Sequence, residues 1–407
     1  MKKILLVLLL IFNCSSKNDF YFPPEWEAHS SIWLSWAAFE NIKGRSTEQV
    51  QLQIIKELEP YVKIDLLVQN QDEIDKIKKQ MLAEKIPSAN LQFHIMPHED
   101  IWMRDMGAIF LKNRKTKELK VADFKFNQWG YSKELTLDDK IDSQIAAKLN
   151  LNTVSTNLIS EGGGWETNGN GVLMTTESVM LQRNPNLSKK EIEDELKKTL
   201  NIEKVIWFKE GVPEDRHSTF GKLPGGYFTP VTTGGHVDEF VRFVKEDTIL
   251  LAEIKESEIG ADLILKEGRR ILEETYQVLL KETDSNGKPF KIIRIPSPEL
   301  MFETIQSGDA VFTFLQDLKF KDGSKLDSTK KEKIILATSY MNFLVTNGVV
   351  LMQKYWKAGR SEIIKAKDEE ARKILQEIFP DRKIIGIDAE NLNIGGGGIH
   401  CITQQMP

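Results

Sequence analysis

An α/β fold of alternating strands and helices is what this sequence predicts, on three observations. Short apolar runs recur between amphipathic stretches along the chain, capping signatures open several of those stretches, and prolines or glycines punctuate them. With 407 residues, 41% hydrophobic and 28% charged, the composition is that of an ordinary globular protein able to bury a large core. The formal net charge of -5 leaves no basic footprint, so nucleic acid is not an expected partner.

Met1-Lys2-Lys3 and the apolar run Ile4 to Phe12 have the charged start and short hydrophobic stretch of a secretory signal, and the run is too short to span a bilayer. Cys14 follows, with Ser15-Ser16-Lys17-Asn18 behind it, in the arrangement of a bacterial lipoprotein signal whose cysteine is lipidated after cleavage. Phe12 and Asn13 stand where small residues are usual, and ordinary cleavage nearby or an uncleaved anchor is the competing reading. Either implies export. The expectation is a signal and short linker over 1–19, a periplasmic or cell-surface location, and membrane attachment through lipidated Cys14.

The folded region, 20–407, opens at Phe22-Pro23-Pro24, where paired prolines force an extended start. Ser46 with Gln49 forms a capping box for a helix that carries Val50, Ile54 and Leu58 on one face and stops at Pro60. Val62 to Val68 reads as a strand, Asp72 to Leu82 as a helix and Leu91 to Met96 as a strand. Ser188 with Glu191 caps a further helix before the strand Lys204 to Phe208. Thr248 to Ala252 precedes a long helix over Ala261 to Leu280. Strands follow at Ile334 to Ala337 and Val349 to Met352, then a helix around Ala366 to Ile378 and a strand at Lys383 to Ile387. Ser307 to Lys333, rich in Lys, Asp, Ser and Gly, reads as an exposed insertion.

Four stretches carry chemistry. In Asp100-Ile101-Trp102-Met103-Arg104-Asp105, an acid just beyond a strand can bind a planar cation through paired charge-assisted hydrogen bonds, and an adjacent Trp can stack on it; an Arg104–Asp105 surface pair is the alternative. Glu161-Gly162-Gly163-Gly164 sets another acid ahead of glycines, where a simple turn is the alternative and the P-loop Lys-Ser/Thr is missing. In Gly234-Gly235-His236-Val237-Asp238, leading into a strand, alternation puts His236 and Asp238 on one side, able to address one ligand together. A metal centre competes for those residues, although six histidines without an H-E-x-x-H or clustered Cys/His pattern argue against it. Last, Gly395-Gly396-Gly397-Gly398-Ile399-His400-Cys401 leads glycines into one of only two cysteines, either a nucleophile or an inert core thiol. With Cys14 consumed by lipid, Cys401 has no disulfide partner in its own chain. A thiol, a His and several carboxylates suit attack on a carbon already carrying positive charge, such as a guanidinium.

Together these stretches resemble the agmatine deiminase and bacterial peptidylarginine deiminase family. The resemblance extends to Pro24-Glu25-Trp26-Glu27-Ala28-His29, Phe126-Asn127-Gln128-Trp129-Gly130, Ser339-Tyr340-Met341-Asn342-Phe343 and Ile402-Thr403-Gln404-Gln405. It implies a pentein fold, a five-bladed propeller of ββαβ repeats in one domain. It implies Cys401 as nucleophile and His236 as general acid/base, with Asp105 and Asp238 binding the guanidinium. Glu161 is a further acid orienting His236, and Trp102 and Arg104 are substrate-binding residues. The implied reaction is hydrolytic deimination of a small cationic substrate, agmatine ahead of peptidyl or free arginine, with no metal or organic cofactor. An amidinotransferase and a non-catalytic surface lipoprotein are the competing readings. Gly398 departs from the Asn that agmatine deiminases often carry before Ile-His-Cys, and export is unusual for a polyamine pathway enzyme.

Overall fold

Five sheets in the computed structural model share one pattern, an antiparallel pair whose second strand is joined through a helix to a parallel third. The structure describes residues 19–36 and 46–407, so the proposed signal run and Cys14 lie outside the described residues. In chain order, Ile109–Asn113 and Leu119–Lys125 pair antiparallel, and Asn152–Ile159 lies parallel beyond them. Trp165–Thr167, Val172–Thr176 and Lys204–Phe208 repeat the arrangement. So do Val241–Lys245, Thr248–Glu253 and Lys291–Pro296, and then Leu344–Thr346, Val349–Gln353 and Lys383–Ile387. The fifth sheet brings distant segments together: Gln404–Met406 pairs antiparallel with Ser31–Ser35, followed by parallel Lys63–Val68 and Leu91–Ile95.

Helices supply the crossovers that parallel pairing requires. Thr47–Leu58, Ile141–Lys148, Lys189–Leu200, Leu263–Leu279 and Glu362–Ile378 each precede the third strand of a unit. The capping box at Ser188 and Glu191 forms with both its bonds. At Ser46 only half of the expected motif forms, because its hydroxyl takes the Glu48 N–H and no bond from Gln49 returns. The central strands are buried on both faces, as strands covered by helices are: every residue of Val172–Thr176 and of Val349–Gln353 is buried.

Two expectations need correction. Ser307 to Lys333 is not simply an exposed insertion, since Ala310–Asp317 is a helix that buries Val311, Phe312 and Leu315 against Phe228, Ile305 and Ile334. Its apolar residues fall at helical spacing, which outweighs the polar letters around them. His236 and Asp238 do not sit on a strand either. His236 caps a single 3₁₀ turn, Val237–Glu239, Asp238 lies within it, and the strand starts only at Val241. Among the described residues, no helix is long and apolar enough to cross a membrane.

Candidate active site

In each of the five units the last strand is followed along the chain, at once or after further short elements, by one polar stretch of the site. Leu91–Ile95 leads to Trp102 and Asp105, and Asn152–Ile159 to Glu161. Lys204–Phe208 leads to His236 and Asp238, Lys291–Pro296 to Asn342, and Lys383–Ile387 to Cys401. The repeat therefore delivers five separate stretches to one place.

Gly163 marks where three of them meet. A Cβ there would lie 2.6 Å from His236 Nδ1, 3.0 Å from Asp105 Oδ1 and 3.1 Å from Asp238 Oδ2, so only glycine leaves these groups room to converge. His236 and Asp238 thus address one point, as expected, but through a tight turn and not through strand alternation. Asp105 is held by Gly163 N–H at 2.9 Å and by Trp129 Nε1–H at 2.8 Å. Gln128 and Trp129 both adopt positive φ, 52° and 56°, a conformation that side-chain-bearing residues rarely take.

His236 is fixed from two sides. Its backbone N–H donates to Asp215 Oδ2 at 2.8 Å, and the same oxygen takes the Gly235 N–H at 3.0 Å. Its Nε2 lies 3.4 Å from Glu161 Oε2, while Glu161 Oε1 accepts from Arg183 Nε at 2.6 Å. Burial opposes charge on both side chains, yet the Arg183 guanidinium and His236 hold the Glu161 carboxyl down to about 2. Burial alone would depress His236, but the carboxylates of Asp105, Glu161 and Asp238 raise it to about 9, so it is an imidazolium at neutral pH. Burial, together with the neighbouring Asp238 and Glu161, pushes Asp105 up to about 6 despite the attraction of His236.

Cys401 is buried, with its Sγ 3.0 Å from Asn342 Nδ2, 3.7 Å from Glu239 Oε1 and 3.8 Å from Asp238 Oδ2. Asn342 is the joint of this side. Its Nδ2 also donates to Glu239 Oε1 at 2.8 Å, and its Oδ1 accepts the His400 N–H at 2.9 Å. Burial and the Asp238 carboxylate push the Cys401 thiol well up. Without a cationic occupant the thiol is therefore protonated. Gly397 lets Trp102 approach it, since a Cβ there would lie 2.6 Å from the Trp102 ring and 3.0 Å from Sγ. At Gly398 a Cβ would meet Gln353 Nε2 at 2.4 Å and Asn342 Oδ1 at 2.6 Å, so a larger residue requires Asn342 or Gln353 to move.

Behind Asp238 lies a buried ionic network. His400 stands between Asp238 and Glu25, at 2.7 Å from each, and holds Asp238 below the usual carboxylate range although burial opposes it. Glu25 in turn pairs with Arg104 at 2.9 Å and with Arg242, while Arg242 Nε bonds Glu166 at 2.7 Å. The expectation that Arg104 binds substrate is corrected by this placement. Its guanidinium is committed to Glu25, Gln405 and the His400 carbonyl, and its backbone N–H donates to the Cys401 carbonyl at 2.9 Å. A second cation would also repel a guanidinium substrate. Two groups could coordinate a metal by spacing, Asp238 with Glu239 and Cys401, and Glu25 with Glu166 and His400. In the second, arginines already neutralise both carboxylates.

Sequence reasoning placed Cys401, His236, Asp238, Asp105, Glu161 and Trp102 together, and the structure brings all six to one buried site. It missed Asn342, Glu239, His400, Arg183 and Asp215. Asn342 and His400 lay inside stretches already singled out, whereas Arg183 and Asp215 carried no local signal.

A family model for Porphyromonas-type peptidyl-arginine deiminase matches residues 21–407. An agmatine deiminase of Medicago truncatula is 29% identical over 416 residues, covering 97% of this chain and 98% of its own. The solved agmatine deiminase of Enterococcus faecalis superposes with a TM-score of 0.75 at 26% identity, with 96% of each chain covered. An agmatine deiminase from C. jejuni shares the fold, with a TM-score of 0.66 at 22% identity over 95% of this chain and 96% of that one.

Proposed function

The chain belongs to the Porphyromonas-type peptidyl-arginine deiminase family, and from that premise we propose that it is a hydrolase of C–N bonds in linear amidines that converts agmatine to N-carbamoylputrescine and ammonia. The observation carrying this reading is the convergence of His236 Nδ1, Asp105 and Asp238 on one point over Gly163, with Cys401 Sγ 3.8 Å from Asp238. His236 Nδ1 and Asp238 Oδ1 are buried there without a hydrogen-bond partner, an arrangement that favours a polar occupant. The named relatives that match nearly the whole chain are agmatine deiminases, which favours agmatine over peptidyl arginine.

The charges account for the order of events. Asp105 and Asp238 take the guanidinium N–H groups, and the cation offsets the negative field that keeps the Cys401 thiol protonated. The thiol proton is released to solvent as substrate binds. The thiolate then bonds to the guanidinium carbon, one C–N bond breaks, and the departing nitrogen takes a proton from His236 to leave as ammonia. Water adds to the resulting thiouronium carbon and gives a proton back to His236. The C–S bond breaks as the remaining proton of the added oxygen passes to the sulfur, so the thiol is regenerated and the product carries a neutral ureido group. Trp102 lines the substrate beside Sγ.

Parallel assays of ureido product and ammonia on agmatine, arginine and an arginine-terminated peptide test the assignment. Agmatine is expected to give the highest kcat/KM. A preference for the peptide moves the substrate to peptidyl arginine, and ammonia release that requires an added amine identifies an amidinotransferase. We also propose that the chain is exported and attached to a membrane through lipidated Cys14, on the strength of Lys2-Lys3, the apolar run to Phe12 and the cysteine behind it. Mass analysis of the mature N-terminus tests this, and a mature chain starting anywhere but Cys14 overturns it.

A further inference from the structure

Beside the His236 turn, a cavity of about 900 Å³ opens between helix Glu177–Arg183, the start of helix Leu263–Leu279 and the loop from Phe208 to His236. Apart from Arg183, no residue given a part in the reaction lines it. Its charge is opposite to that of the active site. Arg216, Lys266 and Lys321 all line it, and none has a carboxylate within 4.0 Å among the described residues. The acids on its wall, Glu210 and Glu267, are already engaged by Arg270 at 2.8 and 2.7 Å.

The same wall is apolar in a way that surfaces seldom are. Phe220 is 44% exposed, with Lys321 Nζ at 3.9 Å and the Arg216 guanidinium at 6.0 Å from its ring centre. Leu263, also on the cavity wall, is 58% exposed. Arg216 donates to the carbonyls of Lys222 at 2.8 Å and Gly221 at 3.3 Å, which fixes its guanidinium, while its Nε is buried without a partner. A fixed, half-buried cation with no carboxylate in direct ion-pair contact gains from an anion brought to it, and the volume suits a small organic molecule.

We propose that this cavity binds an anionic amphiphile, a single carboxylate, phosphate or sulfonate held by Arg216, Lys266 and Lys321, with its apolar body resting on Phe220. The cationic substrate of the active site has the wrong sign for it. The site is therefore a second one, next to the loop that carries His236.

Titration of the full chain with 8-anilinonaphthalene-1-sulfonate, read by fluorescence, tests the proposal against N-phenyl-1-naphthylamine, which lacks the sulfonate. One saturable site is expected, with the neutral probe at least about tenfold weaker. Lys266→Gln combined with Lys321→Gln, both exposed and unpaired, should weaken the sulfonate at least about tenfold, as should Arg216→Gln. If Arg216→Gln does not fold, the double lysine variant decides. Dodecanoate or dodecyl phosphate should displace the probe, and the stronger competitor identifies the head group. Unchanged affinity in the double variant, equal binding of the neutral probe, or displacement by neither competitor overturns the proposal. So does sedimentation showing that self-association covers the cavity and excludes the probe.

Discussion

Glu161 and Glu239 are both buried glutamates beside a catalytic group, and their surroundings favour opposite charge states. Glu161 faces the Arg183 guanidinium at 2.6 Å and is held down to about 2, so it stays anionic and keeps His236 protonated. Among the described residues no cation pairs with Glu239. Its Oε1 meets Asn342 Nδ2 at 2.8 Å and Cys401 Sγ at 3.7 Å, and burial beside Asp238 and Asp215 pushes it well above the carboxylate range. These surroundings favour its neutral acid form. One arginine separates the two cases, because a buried carboxylate ionises only where its desolvation is offset. The His236 side is thus set as a charged acid in advance, whereas the Cys401 side becomes charged only when the substrate brings its own cation.

The comparison presumes that Cys401 and His236 are the groups those acids serve, and Cys401→Ser tests that most directly. Turnover of agmatine should fall by at least about 10⁴-fold while the thermal midpoint stays within about 2 °C. Retained turnover removes the nucleophile from the scheme. Next, Arg183→Met strands the Glu161 charge and should cost about 3–5 kcal/mol in urea denaturation at pH 7. Asn342→Ala removes the Nδ2–H that faces Sγ and should lower kcat about 10- to 100-fold with KM little changed. A rise in KM alone would make Asn342 a substrate contact.

Glu161→Gln tests the pH logic. His236 must be protonated to give ammonia its proton, so kcat/KM should fall as pH rises through about 9. Removing the Glu161 anion lowers the His236 pKa, and the alkaline limb should move to lower pH; an unmoved limb assigns it to another group. The smallest effect is expected for Glu239→Gln. An acid that is already neutral loses no charge, so stability should change by less than about 1 kcal/mol. A loss matching that of Arg183→Met would show Glu239 to be ionised and break the comparison.

Much of the scaffold was legible because its elements follow periodicity. Lys204–Phe208 and Lys383–Ile387 occupy the spans expected, and the Ser188–Glu191 box opens its helix as written. The site residues were legible as residue types in unusual company, but the reasons for their proximity were not. His236 and Asp238 meet through a 3₁₀ turn packed over Gly163, which strand alternation does not describe. Arg104 sits one residue from Asp105 yet points to Glu25, because its short helix, Met103–Met106, turns neighbouring side chains in different directions. The departure at Gly398 acquires a cause only in three dimensions, where the Asn342 and Gln353 side chains occupy the space a longer residue would need.

The sequence by itself determined the alternation of strands and helices, the presence of a lone thiol after glycines, and the acids and histidine able to serve it. Tertiary structure decided which of those groups carry charge. Arg183 reaches Glu161 across 22 residues and His400 reaches Asp238 across 162, and no local pattern records either pairing. Protonation in a buried site depends on distance to the nearest opposite charge and on exclusion of water, and both come into being only when the five units close around a common centre.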